Sequence, residues 1–263
     1  MGNGIDLAGL RPYQPGDDVR YIDWNVTARL DEPWVRDYHE DRDLTAWFLL
    51  DISPSVDFGT VDSERVKRTV LIDFVATMAR LLTRRGNRVG AVLYGGSEDR
   101  TIPPGTGRRQ VLRVVNDLLG EEPLERAPMT DLSPMLAAAG KGIKRRSLVF
   151  VVSDFISEPG WDKPLSLLTR HHEVIAVRLT DPRETELPDA GPLVLQDAET
   201  GEQLYVDTGD HGFRERFAAA AVRREAGIAN AFSRAGVDAL PLSTDDDLVR
   251  AIVRMAQLRR RRR

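Results

Sequence analysis

The chain has 263 residues, enough for one large domain or for a large domain with a small one. It contains no cysteine, which excludes disulfides, thiolate metal sites and cysteine nucleophiles and favours a reducing compartment. The formal net charge of -4 comes from 37 basic and 41 acidic side chains, so the sequence predicts no general attraction to nucleic acid.

The longest apolar stretches, residues 46–50 and 148–152, are too short to cross a bilayer and are typical of buried strands. The first four residues lack the charged and apolar regions of a secretory signal. We therefore expect a cytoplasmic protein with no membrane segment in this chain.

Residues 1–43 are predicted to form a small β-rich N-terminal region. Aromatic, aspartate and turn residues are frequent between residues 11 and 40, and the alternating runs 19–22 and 34–38 predict short strands. Aspartates and an aromatic residue cluster at Gly16–Asp18 and 22–25. We interpret Gly16 and Asp17 as a turn, Asp18 and Arg20 as a local pair, and Trp24 as a buried plug beside the main domain; a partner-docking surface is the alternative.

Residues 44–258 are predicted to form the main domain, because buried strands alternate there with amphipathic helices. This alternation indicates an α/β fold with a doubly wound, mostly parallel sheet. Two short strand-like runs on either side of Thr200-Gly201 predict a β-hairpin insert around residues 190–207. The strands are predicted at 45–50, 88–94, 101–102, 147–152, 173–178, 193–196, 203–206 and 237–240, and the helices at 63–85, 108–119, 132–139, 161–170, 213–235 and 245–258.

The chain ends in five arginines, residues 259–263, which we interpret as a solvated basic tail on the last helix. An anionic partner, such as an acidic protein surface or RNA, is the alternative.

Oxygen-bearing side chains follow two of the predicted strands. Asp51, Ser53 and Ser55 come directly after the strand 45–50, and Asp154 follows the strand 147–152. The carboxyl ends of parallel strands form the ligand-binding edge of an open sheet, so these residues are expected to converge, and Thr130 can add a third hydroxyl. An ordinary strand-end turn or helix cap is the structural alternative for the Asp51 loop.

A set of oxygen ligands with few carboxylates suits a hard cation. Magnesium is the first expectation, with manganese or calcium next. If the neutral hydroxyls bind directly while Asp51 and Asp154 act mostly through water, the ion stays electrophilic. A carboxylate from another protein could then complete its coordination.

The sequence from residue 10 to 258 closely resembles a bacterial family called domain of unknown function 58, which is similar to von Willebrand factor A domains. The motifs that carry the resemblance are spread over both predicted regions. They are residues 11–20, 22–25, Ala28-Arg29, 51–55, Val89-Gly90, 153–155 and 197–201.

The resemblance implies a metal ion-dependent adhesion site. Asp51, Ser53 and Ser55 take the first motif, Thr130 the threonine position and Asp154 the last aspartate position, with Thr106 as a rival hydroxyl for the position of Thr130. Family members are typically encoded near MoxR-type AAA+ ATPases, and the pair is thought to remodel or activate client proteins, sometimes during metal or cofactor insertion.

Two other motifs are interpreted as structural. The loop 104–109 looks like a phosphate-binding loop but lacks the lysine and the spacing of a P-loop, so we expect a turn and a helix start. The pair His171-His172 has no ligand pattern nearby and is interpreted as ordinary loop or strand histidines. No serine, histidine and acid set has the spacing of a nucleophilic triad.

These observations predict a non-enzymatic, cation-dependent protein-binding module that acts as partner or adaptor of a MoxR-type ATPase and of client proteins with an acidic residue. The rival class is a metal-assisted phosphohydrolase that uses the same ion and Asp51. Aspartyl-phosphate phosphatases carry a second aspartate two residues after the nucleophile, whereas this chain has Ser53 there. A third possibility is a purely structural domain that has lost its metal.

Overall fold

The computed structural model of the protein describes residues 6–39, 44–58, 66–95, 99–122, 124 and 127–262. The chain divides into two units, residues 1–43 and residues 44–263. Within the described ranges, no helix combines the length and the apolar character that crossing a bilayer requires.

The first unit is built on an antiparallel pair of strands, β1 (Asp6–Pro12) and β2 (Trp34–His39), with helix α1 (Trp24–Leu30) between them. The side chain of Asp23 begins α1 by accepting hydrogen bonds from two backbone N–H groups of its first turn. The strand predicted at 34–38 is confirmed, whereas the strand predicted at 19–22 is wrong. Val19–Tyr21 forms a short 3-10 turn instead, because the carboxylate of Asp18 caps it.

Local side-chain pairs hold this unit. Asp18 and Arg20 form the predicted pair, with Arg20 Nη2 2.6 Å from Asp18 Oδ2. Arg11 and Asp17 form a second pair at 2.7 Å. Trp24, predicted as a plug, lies on α1 with 68% of its surface exposed.

The second unit is an α/β structure around one six-stranded sheet. Its strand order is β10-β7-β6-β3-β4-β5, with all neighbours parallel except the antiparallel edge pair β4–β5. The remaining two strands, β8 and β9, form a separate hairpin. The strands are β3 (Thr45–Asp51), β4 (Arg88–Tyr94), β5 (Arg100–Gly105), β6 (Leu148–Ser153), β7 (Glu173–Thr180), β8 (Pro192–Gln196), β9 (Gln203–Asp207) and β10 (Asp238–Ser243).

Helices cover both faces of this sheet, so alternate residues of the central strands enter two different cores. On one face Phe48 stacks on Phe150, and Phe74 meets both rings edge-on. On the other face Leu49 and Val151 join the second core. The helices are α2 (Lys67–Thr83), α3 (Gly107–Leu119), α4 (Ser133–Gly142), α5 (Asp162–Thr169), α6 (His211–Ala235) and α7 (Leu248–Arg262).

This architecture confirms the α/β fold with a doubly wound, mostly parallel sheet and a small N-terminal pair of strands. The chain runs on from β3 to β4 on one side and later returns to β6 on the other side of β3. The topological switch point therefore lies between β3 and β6, where open α/β sheets bind their ligands. Helix α7 continues through Arg262, beyond the predicted end at 258, since arginine is a good helix former and cations are favourable near a helix C-terminus.

Candidate metal centre

The carboxyl ends of β3 and β6 lie side by side at the switch point and deliver the predicted aspartates to one place. Asp51 is the last residue of β3, and Asp154 follows the last residue of β6. The hydroxyl of Ser153 donates a 2.6 Å hydrogen bond to Asp51 Oδ2, which links the two strand ends directly. Both aspartates are 1% exposed.

The loop after Asp51 turns its hydroxyls toward one another. The N–H of Ser53 donates to Asp51 Oδ1 at 3.1 Å, and the 3-10 turn Pro54–Asp57 begins there. The Oγ atoms of Ser53 and Ser55 lie 3.1 Å apart. Gly95, at the end of β4, packs on this loop with φ of +86°, and a Cβ there would lie 3.3 Å from the Cβ of Ser53. A side chain at position 95 would therefore disturb the loop.

Thr130 reaches the same cluster through a residue that the sequence did not single out. Its hydroxyl donates a 2.9 Å hydrogen bond to Oε1 of Glu199, and the N–H of Ser55 donates to that oxygen at 3.4 Å. Glu199 lies in the turn between β8 and β9. Thr130, Glu199, Ser55, Ser53 and Asp51 are thus connected by contacts within one buried cluster.

Thr106, the rival hydroxyl, lies at the other edge of the sheet. Strand β5 runs antiparallel to β4, and its last residue Gly105 pairs with Val89 near the start of β4. Val89 in turn pairs with Ala46 near the start of β3, far from Asp51 at the end of that strand. Thr106 is exposed at the N-terminal end of α3. The structure therefore brings Thr130, and not Thr106, to the predicted site residues.

A buried lysine neutralises Asp154. Lys67 Nζ lies 2.7 Å from Asp154 Oδ2 and 2.7 Å from Glu184 Oε1, and the lysine is 1% exposed. Burial by itself disfavours the charged forms of both partners. The attraction between them outweighs it, so the pKa of Asp154 is lowered and the pKa of Lys67 is raised. Asp154 is therefore a carboxylate that is held in place.

Asp51 has no such cation. Burial and the negative charge of Asp154 raise the pKa of Asp51 to about 6, although hydrogen bonds from Ser153 and Ser53 act in the opposite direction. Among the described residues, neither Asp51 nor Glu199 forms an ion pair. The cluster therefore has negative charge that its own lysine does not balance.

The backbone after β6 is unusual and holds Asp154 in position. Phe155 has φ of +54°, which is rare for a bulky side chain and costs of order 1–3 kcal/mol. Its ring offsets this cost by packing 4.7 Å from Phe232 and 5.2 Å from Trp161, between centroids. Its N–H donates to Ser153 Oγ at 2.8 Å. The second core thus holds the loop that carries Asp154.

The residues present fit a hard cation. Hydroxyl and carboxylate oxygens are the ligands that magnesium and manganese prefer, and Oε2 of Glu199 is buried without a hydrogen-bond partner in the described residues. The described residues hold no group of three or more histidine, aspartate or glutamate side chains placed to hold a metal. A site here would thus use the hydroxyls of Ser53, Ser55 and Thr130, with Asp51, Asp154 and Glu199 around them.

The pair His171-His172 lies elsewhere. Both residues precede Glu173, the first residue of β7, and so lie at the amino edge of the sheet. His172 is 6% exposed, and burial lowers its pKa. A cavity of about 470 Å³ adjoins the pair, and its lining is rich in basic residues. The lining residues are Gly140, Lys141, Ile143, Lys144, Arg146, His171 and His172.

Sequence reasoning missed Glu199 and Lys67 as parts of the site. Glu199 lies in the segment 197–201, which carries part of the family resemblance, and this segment could have pointed to it. No sequence feature points to Lys67, because a lysine beside a run of residues at helical spacing is expected on the exposed face of the helix.

Sequence comparisons match most of the chain to a described family and to several relatives. The family model described as protein of unknown function DUF58 matches residues 9–227. Uncharacterized proteins of Mycobacterium bovis and Mycobacterium tuberculosis are each 37% identical over 260 residues, covering 99% of this chain and 81% of theirs.

Two solved structures share the fold. An aerotolerance-related membrane protein from Bacteroides fragilis has a TM-score of 0.54 at 12% identity, over 81% of this chain and 97% of that one. BatB from Bacteroides thetaiotaomicron has a TM-score of 0.50 at 14% identity, over 81% of this chain and 99% of that one. At these identities the likeness shows the fold alone.

Proposed function

The chain belongs to the family of proteins of unknown function called DUF58, and we propose that it is a protein-binding module that depends on a divalent cation. The fold itself supports a protein-interaction role. We propose in addition that binding requires a cation, and we propose which protein is the partner.

One observation carries the proposal: hydroxyls and buried carboxylates meet at the switch point of the sheet. The Oγ atoms of Ser53 and Ser55 are 3.1 Å apart, and Thr130 is joined to Ser55 through Glu199. Lys67 already balances Asp154. If the hydroxyls bind an ion directly while Asp51 and Asp154 act mostly through water, much of the charge of the ion stays uncompensated, so the ion would attract a further carboxylate. Magnesium is our first choice, and manganese or calcium would suit the same oxygen ligands.

The geometry favours binding over phosphoryl chemistry. A nucleophilic aspartate needs a free oxygen that faces the substrate. Both oxygens of Asp51 already accept hydrogen bonds, Oδ1 from Ser53 and Oδ2 from Ser153, and the residue is 1% exposed. We therefore propose a non-enzymatic role, in which the residues here bind and orient an ion.

The proposed partner is a MoxR-type AAA+ ATPase, together with client proteins that offer an acidic residue. Support comes from the family, whose members are typically encoded beside such ATPases. We propose that the module acts in the cytoplasm, where the ATPase has its nucleotide.

A pull-down of the MoxR-type ATPase of the same genome, with magnesium or with a chelator, tests the proposal. We expect capture only with magnesium, and we expect Ser55→Ala to abolish it while Thr106→Ala at the opposite edge does not. Equal capture with chelator and with magnesium would reject the cation dependence. A phosphatase assay with magnesium tests the rival class, and turnover that Asp51→Asn abolishes would reject the non-enzymatic role.

A further inference from the structure

The turn between β8 and β9 brings a carboxylate of the chain itself into the candidate metal centre. Oε1 of Glu199 accepts the hydroxyl of Thr130 at 2.9 Å and the N–H of Ser55 at 3.4 Å. The residue is only 7% exposed, and its Oε2 has no hydrogen-bond partner in the part of the chain that the structure describes. A buried carboxylate oxygen without a partner costs free energy, and a cation beside it would remove that cost.

The turn that carries Glu199 is held in shape by contacts that do not involve the side chain of Glu199. Oδ1 of Asp197 accepts hydrogen bonds from the N–H groups of Glu199 and Thr200, at 3.1 and 2.7 Å, and from the Thr200 hydroxyl at 2.9 Å. Gly201 has φ of +73°. The N–H of Ala127, three residues before Thr130, donates to the carbonyl of Glu199 at 2.9 Å. A substitution of Glu199 should therefore leave the turn formed.

The body of the hairpin is exposed. Val194, Leu204 and Tyr205 are 48, 60 and 81% exposed, and β8 and β9 pair only with each other among the described strands. Because these apolar side chains are already in water, moving the hairpin would expose little further apolar surface. Withdrawing the turn would therefore cost mainly the hydrogen bonds that Glu199 accepts from Thr130, Ser55 and Ala127.

The charges at the site favour Glu199 as the group that meets an ion. Lys67 pairs with Asp154, whereas Glu199 and Asp51 have no cationic partner among the described side chains. Both oxygens of Asp51 already accept hydrogen bonds, but Oε2 of Glu199 accepts none from the described residues. The other residues around Oε1 of Glu199 offer a hydroxyl and a backbone N–H, both neutral. A divalent ion held by hydroxyls would gain its missing negative charge from Glu199.

We propose that Glu199 is an internal ligand that closes the candidate metal centre, and that an acidic group of a partner binds only where the hairpin turn withdraws. The inference rests on the proposed function, because it requires the cation. It adds regulation: the carboxylate position of the site is filled from within the same chain.

Calorimetric titration of the full chain with Mn²⁺ alone tests the inference. We compare the wild type with Glu199→Ala and Glu199→Gln, and Glu202→Ala is the matched control, because Glu202 is an exposed glutamate of the same turn. We expect Glu199→Ala to weaken Mn²⁺ binding by roughly 10- to 100-fold, Glu199→Gln to weaken it less, and Glu202→Ala to leave it unchanged. Circular dichroism verifies that each variant is folded.

Sodium acetate then probes the closure. We expect acetate to tighten Mn²⁺ binding in Glu199→Ala, where the carboxylate position is open, and not in the wild type. Acetate that tightens binding equally in both proteins would overturn the inference, because the ion would have an open position beside Glu199.

The outcomes separate the two proposals. Equal Mn²⁺ affinity in the wild type and Glu199→Ala overturns the internal ligand while the cation-dependent function stands. An equal loss in Glu202→Ala also overturns it, because the effect would then be one of general charge. No Mn²⁺ binding by the wild type overturns the proposed function and the inference with it.

Discussion

The hydroxyl of Thr130 donates a 2.9 Å hydrogen bond to Oε1 of Glu199, a residue 69 positions further along the chain. This contact joins the loop before α4 to the turn of the β8–β9 hairpin. It places the two residues in the same buried cluster as the loop that follows β3.

A substitution of Thr130 should therefore affect cation binding, and one of Thr106 should not. Thr130→Val keeps the shape and removes the oxygen, and we expect Mn²⁺ affinity to fall by about tenfold or more, equivalent to about 1.4 kcal/mol. Thr106→Val is the matched control at the opposite edge of the sheet. Calorimetric titration measures both, and the reverse result would assign the threonine position to Thr106.

Lys67, which pairs with Asp154 at the site, should be important for the stability of the fold. Lys67→Met leaves the buried Asp154 and the partly buried Glu184 without their shared cation, so we expect the free energy of unfolding to fall by about 3–5 kcal/mol. Lys163→Met, at an exposed position, should change it by about 0.5 kcal/mol or less. Urea denaturation with a constant slope gives both values. Similar small effects for the two variants would show that Lys67 does not balance these carboxylates.

The N-terminal unit should have a pH dependence of its own. The hydrogen bond from Arg11 is the main cause that lowers the pKa of Asp17 to about 2. The ordinary pKa of an aspartate is 3.8, so this pair stabilises the folded unit above about pH 4 and loses its effect as the pH falls toward 2. In Arg11→Ala we expect the pKa of Asp17 to rise toward 3.8. An NMR titration of the Asp17 carboxyl measures it, and an unchanged low value would exclude Arg11 as the cause.

The aromatic core on one face of the sheet offers a test of packing. Phe150 is fully buried, with its ring 5.1 Å from Phe48 and 5.7 Å from Phe74, between centroids. Phe150→Ala should cost about 3–5 kcal/mol through lost burial and a residual cavity. Leu167→Ala on α5, which is 56% exposed, is the control. Guanidinium denaturation compares them, and a small loss at Phe150 would contradict the packing described.

The meeting of Asp51 and Asp154 at one edge of the sheet could be predicted from the sequence, because it follows from two local patterns. Apolar runs ending in Asp51 and Asp154 indicate buried parallel strands, and parallel strands place their carboxyl ends at one edge. The approach of Glu199 could not be predicted in this way. It depends on the packing of a hairpin turn that lies 144 residues further along the chain than Ser55. Neither periodicity nor the spacing of residues in the sequence predicts such a contact.

The N-terminal unit shows a different limit. The alternation at 19–22 favours a strand, but the carboxylates of Asp18 and Asp23 satisfy nearby N–H groups and stabilise a 3-10 turn and helix α1. Helix α1 contains aromatic and β-branched residues, among them Trp24 and Val26, which are weak helix formers. The sequence pattern therefore did not predict this helix. In this segment, hydrogen bonds from capping side chains thus determined the secondary structure, and the intrinsic helix and strand propensities of the residues did not.

We propose that the residues around Asp51 bind a divalent cation. Titration calorimetry of the wild type with Mg²⁺ and Mn²⁺, beside the double variant Ser53→Ala/Ser55→Ala, tests it most directly. We predict a single binding event in the wild type, its loss in the double variant, and a gain in unfolding free energy of about 2.7 kcal/mol at an ion concentration of about 100 times the Kd. No heat and no gain in melting temperature in the wild type would contradict the account.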